Sequence, residues 1–132
     1  MSTEEKLSAL SQLIAFARTG TVIKNVEYDF LILIANQIGV DKNTFDKLLK
    51  HPVPHLNLKS ESERIVQFHR LLLLMNVDKV IETKELENIH LLGIKMGLNL
   101  QAIEQTLKVM HQYENNNIPP KILLNIFKTY YN

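Results

Sequence analysis

The 132-residue sequence predicts an all-α protein, a compact single-domain bundle of about seven helices. Three observations carry that expectation. Apolar residues recur at the i, i+3, i+4 spacing of a buried helix face. Capping residues and helix-ending glycines divide the chain into segments of helical length. No segment alternates apolar and polar residues over the length of a strand.

Taken in order, Ser2 with Glu5 forms a capping box that opens a first helix, which is expected to stop near Thr19-Gly20. Asn25 caps a second helix, ended by Gly39, a residue suited to the left-handed turn that closes a helix. Asp41 or Asn43 starts a short third helix with Phe45, Leu48 and Leu49 on its apolar side. His51-Pro52-Val53-Pro54 then stops it, because proline has no N–H and restricts the residue before it. Ser60 with Glu63 is a second capping box, and a fourth helix runs to about Met75. Thr83 caps a fifth helix closed by Gly97, and Asn99 caps a sixth. Asn115-Asn116-Asn117 interrupts, and Pro119-Pro120 opens a last helix carrying Ile122, Leu123, Ile126, Phe127 and Tyr130.

The chain also repeats itself. Shifted by 58 positions, residues 7–49 fall on 65–107 without a gap. Leu10 falls on Phe68, Leu13 on Leu71, Glu27 on Glu85, Gly39 on Gly97 and Phe45 on Ile103. Matches confined to one amphipathic helix would be trivial. A register held through three helices and two turns predicts two three-helix repeats, and the seventh helix closes the bundle. Since each repeat would leave an apolar face uncovered, a single core over residues 1–132 is expected.

Composition narrows function. Fifteen basic residues against fourteen acidic ones leave a net charge of +1, which argues against a nucleic-acid partner. The absence of cysteine removes disulfides, thiolate metal sites and a cysteine nucleophile together. The start, Met1-Ser2-Thr3-Glu4-Glu5-Lys6, is charged where a signal peptide needs a basic and then apolar run. The longest purely apolar run, Leu71 to Met75, falls far short of the roughly 20 residues that cross a bilayer. A cytoplasmic protein without membrane insertion is expected.

At Asp78-Lys79-Val80-Ile81-Glu82-Thr83-Lys84-Glu85 and Met96-Gly97-Leu98 the sequence resembles the TerB family of small tellurite-resistance and stress-associated helical proteins. Asp78, Ile81, Glu85 and the Met-Gly-Leu helix end match its pattern, and Lys79 stands where glycine is frequent. In the first repeat Thr21-Val22-Ile23 and Glu27 fit, while Gly20 replaces the aspartate. The resemblance implies a seven-helix fold, a non-enzymatic role in a bacterial stress or tellurite-resistance type system, and an acidic patch suspected of holding metal in relatives.

Candidate chemistry is sparse. Asp78, Glu82 and Glu85 could supply oxygen ligands to a divalent cation, making a metal sensor or buffer the chief alternative. Glu27 and Glu85 equally suit a structural task, accepting the open N–H groups at a helix start. Ile34, Ala35, Ile38, Gly39, Val40, Phe45 and Leu48 fit a helix-turn-helix template, which would aim Lys42, Asn43, Thr44 and Lys47 at DNA. The second repeat makes the same corner with Gln101, Ala102, Glu104 and Gln105 expected on its outer face, which no phosphate favours. His51, His55, His69, His90 and His111 share no helix face and are expected to be structural. No P-loop or Gly-x-Ser-x-Gly is present, so an enzyme and a cofactor are not expected.

Surface supplies the remaining expectations. Helix two, with Phe30-Leu31-Ile32-Leu33-Ile34, is apolar nearly all round and is expected to be central. Leu91 and Ile94 point away from the main stripe of helix five, to meet the last helix or, alternatively, a partner. Phe127, Tyr130 and Tyr131 offer aromatics of the kind that interfaces favour. A non-catalytic interaction module is the preferred reading, with an unidentified protein or a second copy of the chain as partner.

Overall fold

The computed structural model describes residues 1–19, 22–78 and 80–130. Gly20 and Thr21, Lys79 and Tyr131, on which some expectations fall, lie outside the described residues. Among the described residues the fold is all-helical: α1 (Thr3–Ala17), α2 (Asn25–Gln37), α3 (Lys42–Lys50), α4 (Glu61–Asn76), α5 (Thr83–Lys95), α6 (Leu100–Val109) and α7 (Pro120–Thr129), with 3₁₀ turns at Met110–Gln112 and Glu114–Asn116. The chain divides into two compact units, Met1–Leu58 and Lys59–Asn132.

In the first unit α2 and α3 pack on α1 and on each other. Leu10, Leu13, Leu31 and Phe45 are fully buried, and Tyr28 meets the Phe45 ring edge to face at 5.8 Å. In the second, α4 and α6 each pack against α5, and α7 packs on both. Phe68, Ile89 and Ile103 are fully buried, and Phe127 meets Phe68 edge to face at 6.2 Å. Gly93 lets these helices approach closely, since a Cβ there would stand 2.7 Å from Ile103 Cδ1.

The 58-residue shift relates the two units in local detail. Ser2 accepts the N–H of Glu5 at 3.2 Å, and Ser60 that of Glu63 at 3.1 Å. Asp41 caps α3 through the N–H of Thr44, and Asn99 caps α6 through that of Ala102. Gly39 and Gly97 take φ of +82° and +77°. The residues after them, Val40 and Leu98, donate to the carbonyls of Ala35 and Gly93, closing each helix in the same left-handed turn.

Two helix starts differ from expectation. The N-caps of α2 and α5 are Lys24 and Glu82, one residue before Asn25 and Thr83. The reason lies three residues on: Glu27 and Glu85 reach back to accept the N–H of Lys24 and Glu82, at 2.9 and 3.0 Å. That carboxylate contact, favoured also by the helix dipole, overrides the intrinsic capping preference of Asn25 and Thr83.

Beyond the third helix of each repeat the units diverge. Residues 51–58 form an extended strap along α1, tied down by two serines one turn apart. Ser11 Oγ accepts the N–H of Val53 at 3.1 Å, and Ser8 Oγ that of Leu56 at 2.7 Å. At the position of Ser11 in the second unit stands His69, whose Nε2 lies 2.9 Å from the carbonyl of Ile118. Arg18 donates to the carbonyl of Leu49, and Asn76, in the matching position, to that of Asn116. In the first unit Ser8 and Ser11 hold the segment after α3, while Arg18 holds the last turn of α3 itself. In the second, His69 and Asn76 hold the segment after α6, with different side chains at equivalent places.

Candidate functional site

The acidic turn places its side chains on the backbone beside them. Asp78 accepts the N–H of Val80 at 3.2 Å, and Glu85 that of Glu82. Among the described residues no three His, Asp or Glu side chains gather into a group able to hold a metal ion, so the structure does not bring Asp78, Glu82 and Glu85 together as ligands. Glu27, only 6% exposed, makes the same helix-start contact in the first unit as Glu85 makes in the second.

At the helix-turn-helix corner, Lys42, Asn43 and Lys47 are exposed and Thr44 is half-buried. Lys42 Nζ lies 3.7 Å from Asp46 Oδ2, an acid on the same face. The Asp41 carboxylate is held below its ordinary range by the hydrogen bonds from Thr44 and then by the nearby charge of Lys47. A basic surface facing DNA would thus carry two acids, Asp41 and Asp46, among its lysines. In the second unit Ala102, expected on the outer face, is fully buried, because it lies on the side of α6 that also turns Ile103 and Thr106 inward, while Gln101 and Glu104 are exposed.

The histidines do not converge. His51, His55 and His111 are exposed, His69 belongs to the clamp on Ile118, and His90 lies 3.8 Å from Glu104 across α5 and α6.

Apolar surface is where the structure departs most from expectation. Helix α2 is not central. Val26 and Leu33 are 46% and 53% exposed, and with half-buried Phe30 they form a stripe along its outer face. Leu91 and Ile94, expected to meet α7 or else a partner, stay largely open. They are 54% and 44% exposed on α5, while α7 packs against α4 and α6. Phe127, expected both on the apolar stripe of α7 and among its surface aromatics, belongs to the stripe, only 2% exposed against Phe68.

Leu33 and Leu91 occupy the same place in the two repeats, one apolar side chain standing outward at each. Leu91 stands out by its place on α5, whereas Leu33 is revealed as its match only by the 58-residue shift that lays one leucine on the other. The roles of Ser8 and Ser11 are visible only in the structure, their one signal in the sequence being two hydroxyls on the otherwise apolar face of Leu7, Leu10, Leu13 and Ile14. Compared with models of protein families, with curated proteins and with solved structures, the chain matches none of them.

Proposed function

We propose that this chain is a non-catalytic, TerB-like interaction module of a bacterial stress or tellurite-resistance type system, acting in the cytoplasm through protein contacts and without a cofactor. The observation that carries the reading is the outward leucine repeated at Leu33 and Leu91. A single exposed apolar side chain needs no explanation. An exposed leucine kept at equivalent positions of two repeats, as the exposed valines Val22 and Val80 also are, is what a contact surface would retain. The neighbours differ in kind: Val26, Phe30 and Asp29 accompany Leu33, whereas Lys84, Glu87, Ile94 and Lys95 surround Leu91. The two surfaces therefore suit different partners, or different parts of one partner. The match of Asp78, Ile81, Glu85 and Met96-Gly97-Leu98 to the TerB pattern points to the same class of role.

The test is a photo-crosslinking amino acid placed at Leu33, at Leu91 or, as a control, at exposed Glu114, in cells challenged with tellurite. Discrete protein adducts are expected from the two leucine positions and none from the control. A self-adduct would identify a second copy as the partner. Absence of adducts from both leucine positions, or equal adducts from Glu114, would refute the reading.

A further inference from the structure

Both units carry an open apolar cleft at the same place, beside the opening turns of their first helix. In the first unit it has a volume of about 230 Å³ and is lined by Glu4 and Leu7 of α1 and by Val53, Pro54 and Leu56 of the strap. In the second it measures about 320 Å³, between Glu61, Ser62 and Ile65 of α4 and Leu124, Phe127 and Lys128 of α7. The 58-residue shift lays Glu4 on Ser62 and Leu7 on Ile65. One wall is thus common to the two clefts, and the other is a proline-containing strap in the first and a helix in the second.

The first cleft has the features of a preformed anchor site. Its strap wall is pinned by the hydroxyls of Ser8 and Ser11, which are 1% and 5% exposed. Pro52 and Pro54 restrict the same segment, so little ordering is needed for an occupant to enter. The lining is almost all carbon, and Glu4 is the only ionisable residue among the described lining residues. The neighbouring Glu5 is turned to the N–H of Ser2 at 2.9 Å, so of the two adjacent acids it is Glu4 that lines the cleft. The second cleft carries charges of both signs, Glu61 and Lys128.

We propose that the cleft between α1 and the strap seats one aliphatic side chain of a partner segment that also carries lysine or arginine next to it, the cation lying against Glu4. The apolar lining selects the side chain, and the lone carboxylate selects its neighbour. This rests on the interaction-module reading and names the chemistry of the partner. One buried aliphatic group and one solvent-screened ion pair give weak binding, at best on the order of 1 mM for a short peptide. Tighter binding would require a partner that also engages other surfaces.

Two capped pentapeptides, acetyl-Ala-Lys-Leu-Arg-Ala-amide and acetyl-Ala-Glu-Leu-Glu-Ala-amide, titrated into the isotope-labelled full chain provide the test. The basic peptide should shift the methyl signals of Leu7, Val53 and Leu56 saturably, with the acidic peptide weaker by about fivefold or more. Glu4→Gln should narrow that preference while leaving the amide spectrum otherwise in place. At Leu124 the two peptides should act alike, since Glu61 and Lys128 both line that cleft. Any of three results overturns the proposal: no saturable shift at Leu7, Val53 and Leu56, equal effects of the two peptides there, or a preference untouched by Glu4→Gln. Such a result leaves the interaction-module reading to the crosslinks from Leu33 and Leu91, whose failure would be seen independently.

Discussion

At the scale of single residues, the two closing glycines give a controlled comparison. Gly39 and Gly97 share a positive φ, +82° and +77°, which an L side chain adopts at a cost of roughly 1–2 kcal/mol. Steric surroundings add little in either case. A Cβ at Gly39 would meet only Lys6 Nζ at 3.7 Å, an ordinary contact, and one at Gly97 would meet nothing within 4 Å. Alanine at either position should therefore destabilise the protein by roughly 1–2 kcal/mol, through backbone strain alone. Asparagine, which tolerates this conformation better, should cost less at both. Urea denaturation of the four variants checks this. A loss at one glycine several times that at the other would mean that something besides the turn conformation acts there.

At the scale of helices, the caps of α3 and α6 separate by chemistry. Asp41 and Asn99 make the same bond to the N–H three residues on, but only Asp41 titrates. Its folded-state pKa is lowered, first by the hydrogen bonds from Thr44 and then by the charge of Lys47. A lowered value means that the stabilising contribution is complete above the ordinary aspartate range and disappears as pH falls through the folded-state value. The amide of Thr44 should lose protection from hydrogen exchange as pH drops below about 4, once intrinsic acid exchange is corrected for, while that of Ala102 keeps its protection. Asp41→Asn should remove the difference. Equal acid sensitivity at the two amides would show that the cap bond does not control the start of α3. The caps also show what could be read from the sequence. Helix number and helix ends were legible because capping serines, closing glycines and prolines act within a few residues. The starts of α2 and α5 were misplaced because Glu27 and Glu85 act from three positions away and outcompete better intrinsic caps. The exposed face of α2 was illegible for a different reason: Phe30-Leu31-Ile32-Leu33-Ile34 is apolar all round, so its pattern cannot tell the covered side from the open one.

At the scale of the whole molecule, the repeat bears on whether the acidic turn binds metal. The clefts beside α1 and α4 could not be read from sequence, since their outer walls come from a strap and from α7, which the repeat does not relate. The acids are different, because both copies are visible in the sequence and in the structure. Glu27 and Glu85 make one helix-start contact in two places, yet only the second copy adds Asp78 and Glu82. A role common to both glutamates therefore cannot depend on those two acids. Asp78 already accepts the N–H of Val80, and Glu85 that of Glu82. Gathering their oxygens around a cation would break both contacts and bring like charges together without a ligand loop to hold them. Were a divalent cation nevertheless held there, metal at a hundred times its dissociation constant would stabilise the fold by about 2.7 kcal/mol. In a domain of this size that would raise the melting temperature by several degrees. We expect no shift with calcium, magnesium, manganese or zinc, measured by scanning calorimetry on metal-stripped protein. We also expect Glu27→Gln and Glu85→Gln to cost up to roughly 1 kcal/mol apiece through the lost charge at the helix start. A metal-dependent rise that Asp78→Asn abolishes would overturn this view. It would make the second repeat a cation site that the first repeat has lost or never had.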